Sequence, residues 1–253
     1  MKKAAFLLIV LLLSCVFIPE ISAQNSPTIP LPNINLSVGS SDKPQDLSVT
    51  LQILLLMTIL TLAPSIIIMT TGYLRIIISF HFLRSALGTM QMPPNQLLSG
   101  IALFVTFFVM APTWNQVYDT SFKPMMDGTM PADSALTNGL KPIREFMYNN
   151  VREEDVELFV SLSGSERPAT RDELPTLTLI PAFVLSELRA AFIIGFFLFI
   201  PFLVIDMIVS SVLMAMGMMM LPPMMISLPF KILLFVLVDG WTLVIGSLVR
   251  SFA

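Results

Sequence analysis

Asp206 and Asp239 are carboxylates in otherwise apolar stretches, Phe202-Leu203-Val204-Ile205-Asp206 and Phe235-Val236-Leu237-Val238-Asp239. Two such acids sharing a proton are the chemistry of an intramembrane aspartyl protease. Asp239, however, lies in Val238-Asp239-Gly240, not in the Gly-x-Gly-Asp setting of that class. The competing reading is an ion pair with Lys231 or with a neighbouring subunit, because a charge in lipid-like surroundings finds a partner. Glu187 and Arg189 stand two positions apart, a spacing whose side chains diverge on a helix, so each wants a partner elsewhere, such as across a subunit boundary, unless it sits at headgroup level and needs none. His81 is the only histidine and reads as a polar residue at a helix end; HExxH metal sites and Ser-His-Asp triads are excluded. There is no Walker A loop and no GxGxxG, so no nucleotide site is expected. The single Cys15 cannot form an internal disulfide or a cysteine metal cluster. The residues therefore lead to no catalytic centre, metal or cofactor.

These charges are rare because the chain is apolar. Of 253 residues, 55% are hydrophobic and 12% charged, and the mean hydropathy is +0.82. A soluble domain carries about 25% charged residues, so too few polar side chains exist here to cover a water-facing surface. High hydrophobicity also excludes disorder over most of the length. A net charge of -3 gives no nucleic-acid footprint. The class is an all-helical, polytopic membrane protein.

The chain divides by composition. Residues 1–23, with Lys2, Lys3, an apolar run and Ala23, read as a cleavable signal peptide. Residues 24–46 hold Pro27, Pro30, Pro32 and Pro44 and read as a flexible exported arm. A first hydrophobic hairpin covers 47–117, with spans at Leu47–Ile68 (kinked at Pro64) and Leu97–Val117. Residues 118–179 carry 17 of the 31 charges, six basic and eleven acidic, and form a polar excursion whose Val151–Val160 reads as a short helix. A second hydrophobic hairpin covers 180–253: a span at Ile180–Ile205, a broken Met-rich segment, and a helix from Pro229 to Val249. Four crossings after a cleaved leader put Arg75 and Arg84 inside and the acidic excursion outside, in agreement with the positive-inside rule. No internal repeat supports an inverted-repeat transporter.

Eight methionines fall between Met207 and Met225. Methionine is unbranched and polarisable, so it packs against varied shapes. In Gly217-Met218-Met219-Met220-Leu221-Pro222-Pro223 the glycine and prolines prevent a regular helix. A deformable loop of soft apolar side chains suits a seal around a moving chain, and apolar constrictions gate by dewetting.

Two longer stretches carry a resemblance. Pro181-Ala182-Phe183-Val184-Leu185-Ser186-Glu187-Leu188-Arg189-Ala190-Ala191-Phe192-Ile193-Ile194-Gly195-Phe196 resembles one signature of the flagellar biosynthesis protein FliP family. Pro229-Phe230-Lys231-Ile232-Leu233-Leu234-Phe235-Val236-Leu237-Val238-Asp239-Gly240-Trp241 resembles the second, in the expected order. The likeness runs from about Leu47 to the C-terminus. Ile193 departs from the long polar residue usual there. The R subunit of virulence-type secretion systems shares the fold family, but the signal-like start, acidic excursion and MMMLPP resemble the flagellar branch more.

The resemblance implies a non-enzymatic core subunit of the flagellar type III protein export gate in the bacterial inner membrane and flagellar basal body. It implies about five copies, joined head to tail with the FliQ and FliR proteins into a ring or helical gate. Further partners would be other export components, the basal-body ring and unfolded flagellar proteins as cargo, with residues 118–179 in the periplasm. Hydrophobic hairpins would then lie inside the assembly rather than across lipid. By matching position Met218, Met219 and Met220 would form the pore gasket. Glu187, Arg189, Asp206, Lys231 and Asp239 are then expected to hold the subunits in register. Outside the resemblance, the alternatives are the aspartyl protease and a small-solute transporter.

Overall fold

The computed structural model describes residues 44–89, 91–164, 170, 173–218 and 220–252. The leader at 1–23, Cys15, most of the arm 24–46 and Met219 lie outside them. The fold set out below is that of Ile53–Ala253. All regular structure among the described residues is helical. Helix α1 spans Pro44–Met69, α2 Tyr73–Leu87 and α3 Asn95–Val117. From α3 the chain passes through a π-helical turn, Tyr118–Phe122, into the short α4, Lys123–Met126. Then come α5 Ala132–Asn150, α6 Glu153–Ser163, α7 Thr176–Ala215, α8 Pro223–Leu237 and α9 Gly240–Arg250.

Three helical stretches are long and apolar enough to cross a membrane: Leu51–Met69, Asn95–Met126 and Thr176–Ala215. The bent pair α8–α9 makes a fourth if counted as one span. Such helices satisfy every backbone group internally, which a hydrocarbon environment demands. No residue of the apolar stretch of α1 is buried by the rest of the chain. Helix α1 runs through Pro64 and α3 through Pro112 without a break.

Two cores organise the rest. The larger gathers Ile76, Phe80 and Leu83 of α2, Leu98 and Ala102 of α3, Phe202 of α7, Phe235 of α8, and Val244 and Leu248 of α9. Helix α2, which the sequence marks as polar-interrupted, is thus a central helix, and its contact with α7 is the most extensive in the fold. The smaller core joins Met147 of α5 and Val160 of α6 to Leu174 and to Leu179 and Phe183 of α7. The acidic excursion is therefore folded onto the start of α7.

The second hydrophobic region differs from its expected division. Helix α7 continues ten residues past Ile205 to Ala215, taking in Met207 and Met214. The expected helix from Pro229 to Val249 is two helices bent by 64° at Val238–Asp239. Asp239 adopts the left-handed conformation, φ 49°, which aspartate tolerates better than most residues. The chain can turn there because Gly240 lacks a side chain: a Cβ on it would lie 2.2 Å from the Phe235 ring. Trp241 closes the elbow with edge contacts to Phe235, 5.5 Å between centroids, and to Phe80, 6.4 Å. Gly240→Ala is expected to destabilise the protein by about 1–3 kcal/mol through overpacking. Phe235→Leu combined with Gly240→Ala should recover part of that loss in thermal unfolding in detergent.

Candidate functional site

Arg75 opens the site. It sits on α2 with no acid one helical turn away, and it is buried. Its guanidinium forks onto Glu187 of α7, with Nε donating to Oε2 at 3.0 Å and Nη2 donating to Oε1. Nη1 donates to the Ser251 carbonyl at 2.7 Å and to Ser251 Oγ at 3.0 Å. The Phe252 ring covers the guanidinium, 3.9 Å from Cζ to its centroid, and also stacks on Phe146 of α5. Glu187 is 0% exposed.

Arg189 goes the other way, as its spacing requires. Its Nη2 donates to Asp155 Oδ1 of α6 at 2.9 Å. Ser186 donates to Asp155 Oδ2 at 2.6 Å and accepts from the Arg152 backbone N–H at 3.0 Å, so it ties the start of α6 to α7. Asp155 is buried but fully satisfied.

Asp206 of α7 meets α8. Its Oδ2 accepts from Lys231 Nζ at 2.7 Å and its Oδ1 accepts from Ser227 Oγ at 2.6 Å. Lys231 Nζ also donates to the Ala86 carbonyl at 3.1 Å, in the last turn of α2. Glu187, Arg189, Asp206 and Lys231 thus find partners within one chain, and the pairing of Asp206 with Lys231 is the ion pair read from the sequence. The cause is simple: α7 is flanked by α2, α6 and α8, each bringing one opposite charge to it. Asp239 is exposed at the α8–α9 elbow and does not cap α9 with its side chain. It borders an open cleft of about 360 Å³ that also takes in Arg250. Both Asp206 oxygens are occupied by α8 side chains while Asp239 faces outward, so the two do not form a shared-proton pair.

The methionine turn joins α7 to α8. Gly217, φ 74°, is the left-handed stop of α7. Gly217 N–H donates to Met214 O and Met218 N–H to Leu213 O, each at 3.0 Å, the crossed bonds of a Schellman ending. Pro222 and Pro223 then start α8 where their missing N–H groups cost nothing. Met220 is 97% exposed and Met218 43%. Behind the turn lies an open apolar cleft of about 420 Å³, lined by Ile208 and Val212 of α7 and Phe230 of α8 among others.

The remaining signature residues are structural. Ala182 and Phe183 are fully buried. Pro181 lies inside α7 and Pro229 inside α8. Gly195 lies under the Phe82 ring. Phe230 is exposed, and Ile193 stands on the exposed apolar face of α7 with Phe192 and Phe196. Residue types and spacings do not single out Arg75, Asp155, Ser227 or the C-terminal Ser251–Phe252 as partners in these contacts. A lone arginine in an apolar helix was the available signal for Arg75. His81, outside the candidate spans, accepts at Nδ1 from Arg84 Nη2 at 3.1 Å. Burial, then Arg84, holds its pKa below the ordinary 6.5. Among the described residues no cluster of His, Cys, Asp and Glu could hold a metal ion.

A family model described as the FliP family matches residues 56–248. The flagellar biosynthetic protein FliP of Bacillus subtilis is 51% identical over 217 residues, covering 86% of this chain and 98% of the relative. Its namesake in Caulobacter vibrioides is 47% identical over 252 residues, covering 100% of this chain and 92% of the relative. That of Borreliella burgdorferi is 45% identical over 235 residues, with 91% of each chain covered.

Arg75→Met or Glu187→Leu alone strands a buried charge and should cost about 3–5 kcal/mol, whereas the double variant should approach wild type. Thermal unfolding of all four proteins in detergent measures the coupling, and additive losses would contradict it. His81, as the only histidine, gives one unambiguous NMR titration. Its midpoint should fall below 6.5 and rise toward it, without reaching it, in Arg84→Gln. Since the unfolded chain binds that proton more readily, this contribution to stability is present above pH 6.5. It is lost as the pH falls through the folded midpoint.

Proposed function

The chain belongs to the FliP family, and from that membership we propose that it is a core subunit of the flagellar type III export gate. In this reading it forms, with further copies of itself and the FliQ and FliR proteins, a gated conduit for unfolded flagellar proteins. About five copies joined head to tail would close such a ring. The assembly would sit in the bacterial inner membrane within the flagellar basal body, beside other export components and the basal-body ring, with residues 118–179 facing the periplasm. The expected leader 1–23, arm 24–46 and two hydrophobic hairpins belong to the same proposal.

The observation that carries the mechanism is the methionine turn. A backbone fixed by Gly217, Pro222 and Pro223 holds thioethers out from the body of the chain, with Met220 almost wholly uncovered. An exposed apolar tip has no use in water, but tips converging on an axis would exclude water and ions. Met218, Met219 and Met220 from each copy would form this gasket. Cargo would displace them, and their rotatable bonds let them close around varied side chains. Asp239, exposed and uncommitted at the elbow, is the charge left to contact a neighbouring subunit.

Replacing Met218, Met219 and Met220 together by Ala should raise the resting ion leak of the assembled complex several-fold while the subunits still co-purify. Unchanged conductance with assembly intact would remove the seal from the mechanism.

A further inference from the structure

We propose that Asp206, Ser227 and Lys231 are positioning residues for the methionine turn, tying the α7–α8 hairpin to the end of α2. The tie is one continuous chain of contacts. Ser227 and Lys231, one helical turn apart on α8, take separate oxygens of Asp206 on α7. Lys231 then reaches the Ala86 carbonyl. That carbonyl lies in the last turn of α2, where carbonyls lack intrahelical donors and the helix dipole favours a cation. The ammonium therefore links three helices.

Toward the turn the apolar packing of α7 on α8 is incomplete. Beside the tie and toward the turn lies the open cleft, with Ile208 and Val212 on one side and Ile226 and Phe230 on the other. Asp206 is about 14 Å along the helix from the end of α7. Over that length two helices separated by a cleft can splay unless a directional contact fixes one to the other. Lys231 is 4% exposed and Ser227 0%, so both donors are shielded from water, while Asp206 is partly exposed. A neutral packing contact would hold the helices together without fixing their rotation. The bonds to two different oxygens and to the α2 carbonyl fix rotation as well, and with it the direction in which the turn faces.

The consequence for gating rests on the seal proposed above; the geometric role does not. Spin labels on Ser85→Cys of α2 and Leu221→Cys of the turn, with Cys15→Ser, report the distance between the two elements by double electron–electron resonance. Wild-type anchors should give one narrow distance. Ser227→Ala, which removes a hydroxyl and strands no charge, should broaden it and raise the resting ion leak of the assembled complex. The pair Asp206→Asn with Lys231→Met also strands no charge and should restore yield, yet the distance should stay broad. A narrow distance in both variants would overturn the positioning role whatever the leak. A broad distance, with no leak on replacing Met218 to Met220 by Ala, would keep the anchor and discard the seal.

Discussion

Arg75 and Glu187 meet where the start of α2, the first third of α7 and the last described residues of the chain converge. An ion pair stripped of water is favourable only when its geometry is complete and its remaining donors are satisfied. Here the fork to Glu187 uses Nε and Nη2, Ser251 takes Nη1, and Phe252 lies over the guanidinium face. Every one of those contacts depends on the register of α2 against α7. A slip of one residue rotates a helix side chain by about 100° and would leave both charges bare. The pair therefore acts as a key, and Gly72 leaves room for it: a Cβ there would lie 2.7 Å from the Phe252 ring. The elbow at Asp239 and Gly240 is what brings α9, and so Ser251 and Phe252, back over α2.

Helix α7 is the element to which the keys attach. At 40 residues it is about 60 Å long, twice the thickness of a bilayer's hydrocarbon core. One helix is thus longer than a single crossing needs. Its first turns carry Leu179, Ala182 and Phe183, buried, and Ser186, which holds the excursion through Asp155. Its far end carries the methionine turn. The excursion folds in spite of its acidity because α5 and α6 each present an apolar stripe to that first stretch of α7. Their carboxylates remain outward, apart from Asp155, which Arg189 and Ser186 neutralise.

What could be read from the residues follows from which signals are local. The helices are legible because their apolar runs and breakers act within a few residues. Pro222 and Pro223 mark a start, and Gly217 marks a stop. The divergence of Glu187 and Arg189 is legible too, since helical spacing alone dictates it. Partner identity is not local. Arg75 and Glu187 are separated by 112 residues and Asp155 and Arg189 by 34, so only the packing of α2 and α6 on α7 shows which charge meets which. The elbow at Val238–Asp239 was illegible for another reason. Aspartate is not a usual helix stop, and the demand for Gly240 arises from a ring five residues earlier that folds back on it. Helical spacing left the partners of Glu187 and Arg189 open because a buried charge in an apolar helix demands a partner without saying from which chain.

The methionine turn separates stiffness from softness. Its backbone is held at both ends, by the Schellman bonds around Gly217 and by the prolines that start α8. Its side chains are the most adaptable apolar ones available. Leucine or isoleucine at the same places would present branched shapes suited to one partner only. A flexible backbone would let the tip fold back against the apolar cleft behind it, where thioethers would find cover. Exposure of Met220 on a fixed turn is therefore a property of the backbone, and adaptability is a property of the side chain. The proposed seal would require both, because a soft side chain can return to the same place only if its Cα has not moved.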